Sequence, residues 1–298
     1  MEESPPSDRL SDLGDEVVDI DDECYSLFSH PLPSQNLGIL DPDAPELHLD
    51  VAGRACSIRQ SPGLLRSNRG GGTTGAVLWK VSPPLATWLA SPTNPLFRLD
   101  ILNSHSHVVE LGAGVAGIVA LALAPRVCRY VATDQDYVLR TLRGNIAENG
   151  TMMGGAGKGK GGRKRVGGEI ETMVLDWEVD EVEGIARALR GHVNAHDGGE
   201  HIDLVIACDC VYNEALIEPF VATCADLCRL AEREGEGNGE GRRRTVVLVA
   251  QQLRSAEVFE GWLGRFAEEF RVWRVRDAEV GEGLRGGEGF VVHVGVLR

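Results

Sequence analysis

From about residue 101 onward the chain repeats one pattern: a short apolar run, a polar or glycine-rich break, then a longer stretch with helix-compatible spacing. The first run ends at Glu110 and predicts a strand, with a helix following through Ala124. RYVATD, from Arg129 to Asp134, predicts a second strand, and a helix from about Tyr137 to Asn149 comes after it. Residues 169–175 and 201–208 predict the third and fourth strands, each followed by a helical stretch that runs to about Gly191 and Glu234 respectively. TVVLVAQ predicts a fifth strand ending near Gln251, and residues 255–270 a helix. RVWRVRD and FVVHVGVL then offer two strands with no helix between them, which predicts an antiparallel hairpin at the sheet edge. Upstream, residues 46–61 alternate well enough for one or two strands. RGGGTTG leads from there into AVLWKVSPPLATWLAS, a strand end and a helix with Pro83 and Pro84 near its first turn, where proline is tolerated.

Five βα units closed by a hairpin differ from an eightfold βα barrel and from the six-strand dinucleotide fold. They predict an α/β domain built on a seven-stranded Rossmann-like sheet, with helices on both faces and an antiparallel last strand. Residues 1–45 are acidic, rich in Pro and Ser and poor in large apolar side chains, which predicts a disordered tail with a short docking segment near Cys24 to Phe28. Residues 46–298 form the expected domain. Two low-complexity insertions, near 150–168 and 234–244, are too rich in glycine and charge to pack a core.

Composition narrows the chemistry. A formal charge of −15 argues against direct nucleic-acid binding, which needs many Lys and Arg contacts to phosphates, and is compatible with a basic protein partner. The basic run between Lys158 and Arg165 is expected to be a solvated loop. Seven scattered cysteines, an odd number, do not make a disulfide framework, and Cys208-x-Cys210 lacks the matching His or Cys pair of a zinc site, so no metal is expected. The first residues have neither the basic nor the apolar region of a secretory signal, and no apolar run approaches membrane-spanning length. These features predict a soluble, cytoplasmic protein, and nothing in them demands more than a monomer. His105 and His107 are expected in solvent-facing loops, and Trp262 and Trp273 in the core.

The stretch VVELGAGVAG carries the most chemistry. An apolar run breaks into Gly112, Gly114 and Gly117 before a helix, the arrangement in which backbone N–H groups meet a polar ligand. Asp134 lies 22 residues past Gly112, about where a nucleotide site places the carboxylate that holds ribose hydroxyls. A glycine turn alone is equally consistent with close helix–strand packing. Glu110 changes the balance: an acid beside the turn suits the cationic sulfonium and ammonium groups of S-adenosyl-L-methionine and would repel a dinucleotide's phosphates. Asp176-Trp177 ends the third strand, where a carboxylate and an indole suit the amino group and ring of adenine. Asp209-Cys210-Val211-Tyr212 closes the fourth strand, beyond whose carboxyl end ligands of open α/β sheets sit.

ELGAGVAG, TDQD, LDW and DCVYN, in this order, resemble the seven-β-strand protein-lysine methyltransferases that modify chaperones, elongation factors and ribosomal proteins. The likeness covers roughly residues 71–251. Its TTGAVLW, LDWE and DxxYN details are most similar to the fungal members acting on large-subunit ribosomal proteins. The resemblance implies an S-adenosyl-L-methionine-dependent methyltransferase sheet and a basic ribosomal protein as substrate. It places Gly112, Ala113 and Gly114 against the methionine part of the cofactor, with Trp79 nearby. Asp134 is implied at the ribose, Asp176 and Trp177 at the adenine, and Cys208 at the cofactor just before the D-x-x-Y motif. Asp209 and Tyr212 are implied as the catalytic pair that orients the target amine. Cys208 departs from the Ala common in relatives, and the two insertions are unusual. Alternatives are an elongation factor or chaperone as substrate, a nicotinamide-dependent oxidoreductase, and a catalytically silent binding module. The oxidoreductase predicts a Tyr-x-x-x-Lys or His–Asp dyad that the chain does not convincingly place.

Overall fold

The computed structural model describes residues 6–33, 37–69, 72–153, 168–190, 201–235 and 244–298. The two low-complexity insertions and the basic run lie largely outside these residues. Among them the strands are β1 (Gly14–Glu16), β2 (Glu46–Val51), β3 (Arg54–Arg59), β4 (His107–Leu111), β5 (Arg129–Asp134), β6 (Glu169–Val174), β7 (Leu204–Cys208), β8 (Val246–Gln252), β9 (Phe270–Val275) and β10 (Phe290–Leu297). The helices are α1 (Pro6–Ser11), α2 (Ile20–Phe28), α3 (Pro62–Leu65), α4 (Ser82–Ala90), α5 (Pro95–Arg98), α6 (Ile118–Leu123), α7 (Asp136–Met153), α8 (Glu183–Arg190), α9 (Ile217–Gly235) and α10 (Ala256–Glu269).

The central strands are unbroken apolar runs because both of their faces are buried. Val108 and Tyr130 pack toward α4, α6, α7 and the β2–β3 hairpin, whereas Val109 and Val131 pack toward α8, α9 and α10. Strand β7 divides the same way, with Leu204 and Ile206 to one face and Val205 and Ala207 to the other. The main sheet runs β1-β9-β10-β8-β7-β4-β5-β6. Strands β8, β7, β4, β5 and β6 are mutually parallel, and β10 is antiparallel to both β8 and β9. The order jumps across β4 and β7, which is the topological switch point where open α/β sheets bind ligands.

Two details differ from the sequence-based expectation. The sheet has eight strands rather than seven, and the final hairpin is not at its edge: β10 is inserted between β8 and β9, and β9 is covered in turn by β1. The added strand comes from the segment expected to be a disordered tail. Residues 6–33 pack instead of trailing. Leu10 and Leu13 are fully buried, and α2 lies against α10, where the rings of Phe28 and Phe259 meet at 5.6 Å. Glu23 of α2 bonds Nε2 of buried His293 at 2.9 Å and pairs with Arg274 at 3.1 Å. Gly14 lies so close to β9 that any side chain there would overlap the Arg274 carbonyl. A three-residue strand with one glycine and two acids carries no apolar alternation, so its pairing was not legible in composition. It shields an edge that would otherwise present unpaired backbone groups. His107 also differs: it is the first residue of β4, buried, with its backbone N–H bonded to Asp203 at 2.9 Å. Burial lowers the affinity of its ring for a proton. Trp262 and Trp273 are fully buried.

Candidate active site

A cleft open to solvent lies beyond the carboxyl ends of β4, β5, β6 and β7. Its floor is the turn after β4. Gly112, Gly114 and Gly117 adopt φ values of 67°, 62° and 57°, the left-handed region that glycine enters without steric cost. A Cβ on Gly112 would also stand 2.8 Å from the Cys210 sulfur and 3.3 Å from the Trp177 ring, so glycine here lets the indole close on the turn. Gly117 caps α6, whose six residues are all buried.

Two networks of side chains face the cleft. In the first, the Asp134 carboxylate at the end of β5 accepts hydrogen bonds from the backbone N–H of Gly114 and of Gln135, both at 2.7 Å. The Gln135 amide donates to Asp176 at 3.0 Å, and the Trp177 ring meets Phe220 edge-on at 5.4 Å. Burial pushes the Asp134 carboxyl up to about 6 despite the two backbone donors. Each of its oxygens keeps a lone pair free for a further donor.

The second network is built on the segment before α4 and the loop after β7. Indole N–H of Trp79 donates to the Thr74 carbonyl at 3.0 Å, and the Thr74 hydroxyl bonds the Tyr212 hydroxyl at 3.1 Å. The rings of Trp79 and Tyr212 lie nearly parallel, 15° apart in tilt, with centroids 6.4 Å apart. Asp209 has φ 58°, unusual for a residue with a side chain. Its carboxylate is fully buried and paired with Arg254, and also accepts the Gln252 backbone N–H at 3.2 Å. Burial pushes this carboxyl up while Arg254 opposes the shift.

Of the residues singled out in the sequence, Trp79, Gly112, Gly114, Asp134, Asp176, Trp177, Cys208, Asp209 and Tyr212 border the cleft. Glu110 and Ala113 do not. They line a smaller inner cavity behind the glycine turn. Glu110 is buried against Tyr130, whose hydroxyl donates to it at 2.8 Å, and burial pushes its carboxyl up to about 8. It is therefore mostly protonated at neutral pH rather than the anion its place in the motif suggests. Burial likewise raises the thiols of Cys208 and Cys210 above the ordinary range, which leaves them poor nucleophiles. Thr74, Gln135 and Arg254 were missed in the sequence. Arg254 lies two residues past the end of β8, and only its place beyond a strand's carboxyl end, not a motif, pointed toward it.

Residues 58–234 match the family model described as lysine methyltransferase. Ribosomal lysine N-methyltransferase 5 of Zygosaccharomyces rouxii is 31% identical over an alignment of 239 positions, gaps included, that covers 72% of this chain and 71% of that protein. The protein of the same name from Eremothecium gossypii is 31% identical over an alignment of 236 positions, gaps included, that covers 66% of this chain and 72% of that protein. A Schizosaccharomyces pombe protein named diaminohydroxyphosphoribosylamino-pyrimidine deaminase is 26% identical over 265 residues, 89% of this chain. The chain spans only 55% of that longer relative. With its α/β sheet, the cleft at the switch point and the family match over more than half its length, the chain belongs to the lysine methyltransferase family.

Proposed function

We propose that the chain transfers a methyl group from S-adenosyl-L-methionine to a lysine ε-amine of a ribosomal protein, acting as a cytoplasmic monomer. The observation that carries this reading is the two-network cleft: carboxylates and an indole suited to a nucleoside on one network, paired aromatic rings and a D-x-x-Y turn on the other. The residues fit the cofactor's chemistry. Asp134 is a buried carboxylate only partly compensated by its own backbone donors, and ribose hydroxyls would supply the missing ones. Asp176 and Trp177 would frame the adenine, and Gly112 and Gly114 leave the turn bare for the methionine portion. Glu110 and Ala113 would support the turn from the inner cavity without a charge of their own.

When bound, the cofactor supplies an electrophilic methyl on a sulfonium. The protein's part is positioning and desolvation. Trp79 would stand near the methionine part of the cofactor, and the Tyr212 hydroxyl, fixed by Thr74, would orient the amine. A free lysine has a pKa of about 10.4, so the pocket must favour its neutral form. The proximity of the named relatives supports a ribosomal acceptor, and the acidic chain suits such a basic partner.

Incubation with labelled S-adenosyl-L-methionine and unmethylated ribosomal proteins tests the proposal. Label on a lysine of one such protein is expected. Label confined to elongation factors, chaperones or non-protein material in a whole extract would defeat the ribosomal assignment.

A further inference from the structure

Arg254 belongs to none of the sequence motifs, yet both of its terminal nitrogens are held. Its Nη1 donates to Asp209 Oδ1 at 3.0 Å, its Nη2 to Asp209 Oδ2, and Nη2 also to the Gln252 side-chain oxygen at 3.1 Å. The guanidinium carbon lies 5.2 Å from the centre of the Trp79 ring. A backbone strap closes over it. Ile39 forms a bridge with Trp79, the Lys80 N–H donates to the Gly38 carbonyl at 2.8 Å, and any side chain at Gly38 would overlap the guanidinium. The Asp209 side chain is 0% exposed and that of Arg254 22%; Asp209 borders the cleft, and Arg254 backs it from outside the lining.

Resting on the lysine methylation proposed above, we propose that Arg254 is a positioning residue that acts through Asp209: it balances the carboxylate's charge, so the entering lysine is held as the free amine. A lone buried carboxylate beside an amine would stabilise the ammonium, which has no lone pair with which to attack. A fixed cation paired with that carboxylate disfavours a second one nearby, as cationic neighbours do for nucleophilic lysines. The lysine proton passes to solvent, while Asp209 remains ionised and Arg254 protonated. On this reading Asp209, expected from the resemblance to orient the target amine, does so with its charge balanced by Arg254.

The remaining titratable groups around the pair do not confound this. Cys208 and Cys210 on the β7 side and Tyr137 on α7 are pushed up by burial, Tyr137 to about 12, and stay neutral. Tyr212 is bonded to Thr74, and Glu110 is raised to about 8 behind the turn. Asp134, Asp176 and Glu178 line the same cleft and are common to every variant below.

The test is the initial rate of lysine methylation by the full chain against pH, with limiting unmethylated large-subunit ribosomal proteins and saturating labelled S-adenosyl-L-methionine. For Arg254→Gln the acidic limb should move about one pH unit upward, an approximately tenfold loss at neutral pH that is recovered at alkaline pH. Arg254→Lys should keep the wild-type limb. The double variant Asp209→Asn/Arg254→Gln, which removes both charges, should bring the limb back. An equal loss at every pH in Arg254→Gln, or a full shift in Arg254→Lys, would overturn the inference and leave Arg254 a packing residue. If Arg254→Gln alone does not bind the cofactor in calorimetry, the double variant decides: an unmoved limb supports the inference, and a limb moved up a unit sinks it. Wild-type protein that labels no lysine would instead defeat the proposed function, which separates the two failures.

Discussion

Asp134 shows how a single residue ties the cleft to pH. Burial is the largest influence on its carboxyl and raises it to about 6, with the Gly114 and Gln135 N–H groups pulling the other way. As pH falls through that value, protonation relieves the cost of burying the charge but removes the acceptor that ribose hydroxyls would need. Affinity for S-adenosyl-L-methionine should therefore be level above pH 6 and decline below it, by up to about tenfold per unit. Calorimetry across that range checks this, and Asp134→Asn should bind more weakly by roughly 1.5–3 kcal/mol with the pH dependence gone. At this scale much of the cleft was legible. Three glycines at that spacing called for backbone freedom, and all three sit at positive φ. The charge state of Glu110 was not legible, because it is set by burial in the folded sheet, which the Tyr130 hydroxyl only partly opposes. Nor was Arg254, since a lone arginine after a strand has no pattern until Asp209 is placed against it.

Among elements, α2 and β1 depart furthest from expectation. Strand β1 has no apolar side chain and is held by its pairing with β9, while the few apolar residues of α2 fall where α10 can bury them. Glu23 is the polar anchor. Burial alone would raise its carboxyl, but the hydrogen bond to His293 and the charges of His293 and Arg274 outweigh that and hold it below the ordinary glutamate range. A depressed carboxyl stabilises the fold above its unfolded value and loses that stabilisation as pH falls through its folded value. Glu23→Gln should thus cost about 1.5–3 kcal/mol in urea unfolding at neutral pH and progressively less in acid. Because α2 and β1 contribute nothing to the cleft lining, cofactor affinity should be unchanged in this variant. A drop in affinity equal to the drop in stability would show instead that the segment supports the site. The central strands were legible for the opposite reason: burial on both faces demands continuous apolar runs, and such runs are visible without any partner.

For the whole molecule, net charge bears on association rather than on fold. A formal charge of −15 should speed encounter with the basic ribosomal protein proposed as substrate. Raising salt from about 0.1 to about 1 M, which shortens the Debye length from about 10 to about 3 Å, should slow methylation of that substrate on the order of tenfold. Binding of the small cofactor, measured in parallel, should change little. A salt-independent rate would mean that the acidic surface plays no part in recognition. The sequence by itself determined the succession of strands and helices, the glycine turn and the strand-end carboxylates, because hydrophobic periodicity and backbone sterics act locally along the chain. Only the tertiary structure decided that the amino-terminal segment adds an eighth strand, that β10 slots between β8 and β9, that Glu110 is mostly neutral at pH 7 and that Asp209 is locked to Arg254. Strand pairing at an edge, the desolvation of a carboxyl and the meeting of two charges 45 residues apart all depend on what packs beside them, and that is set by three-dimensional proximity.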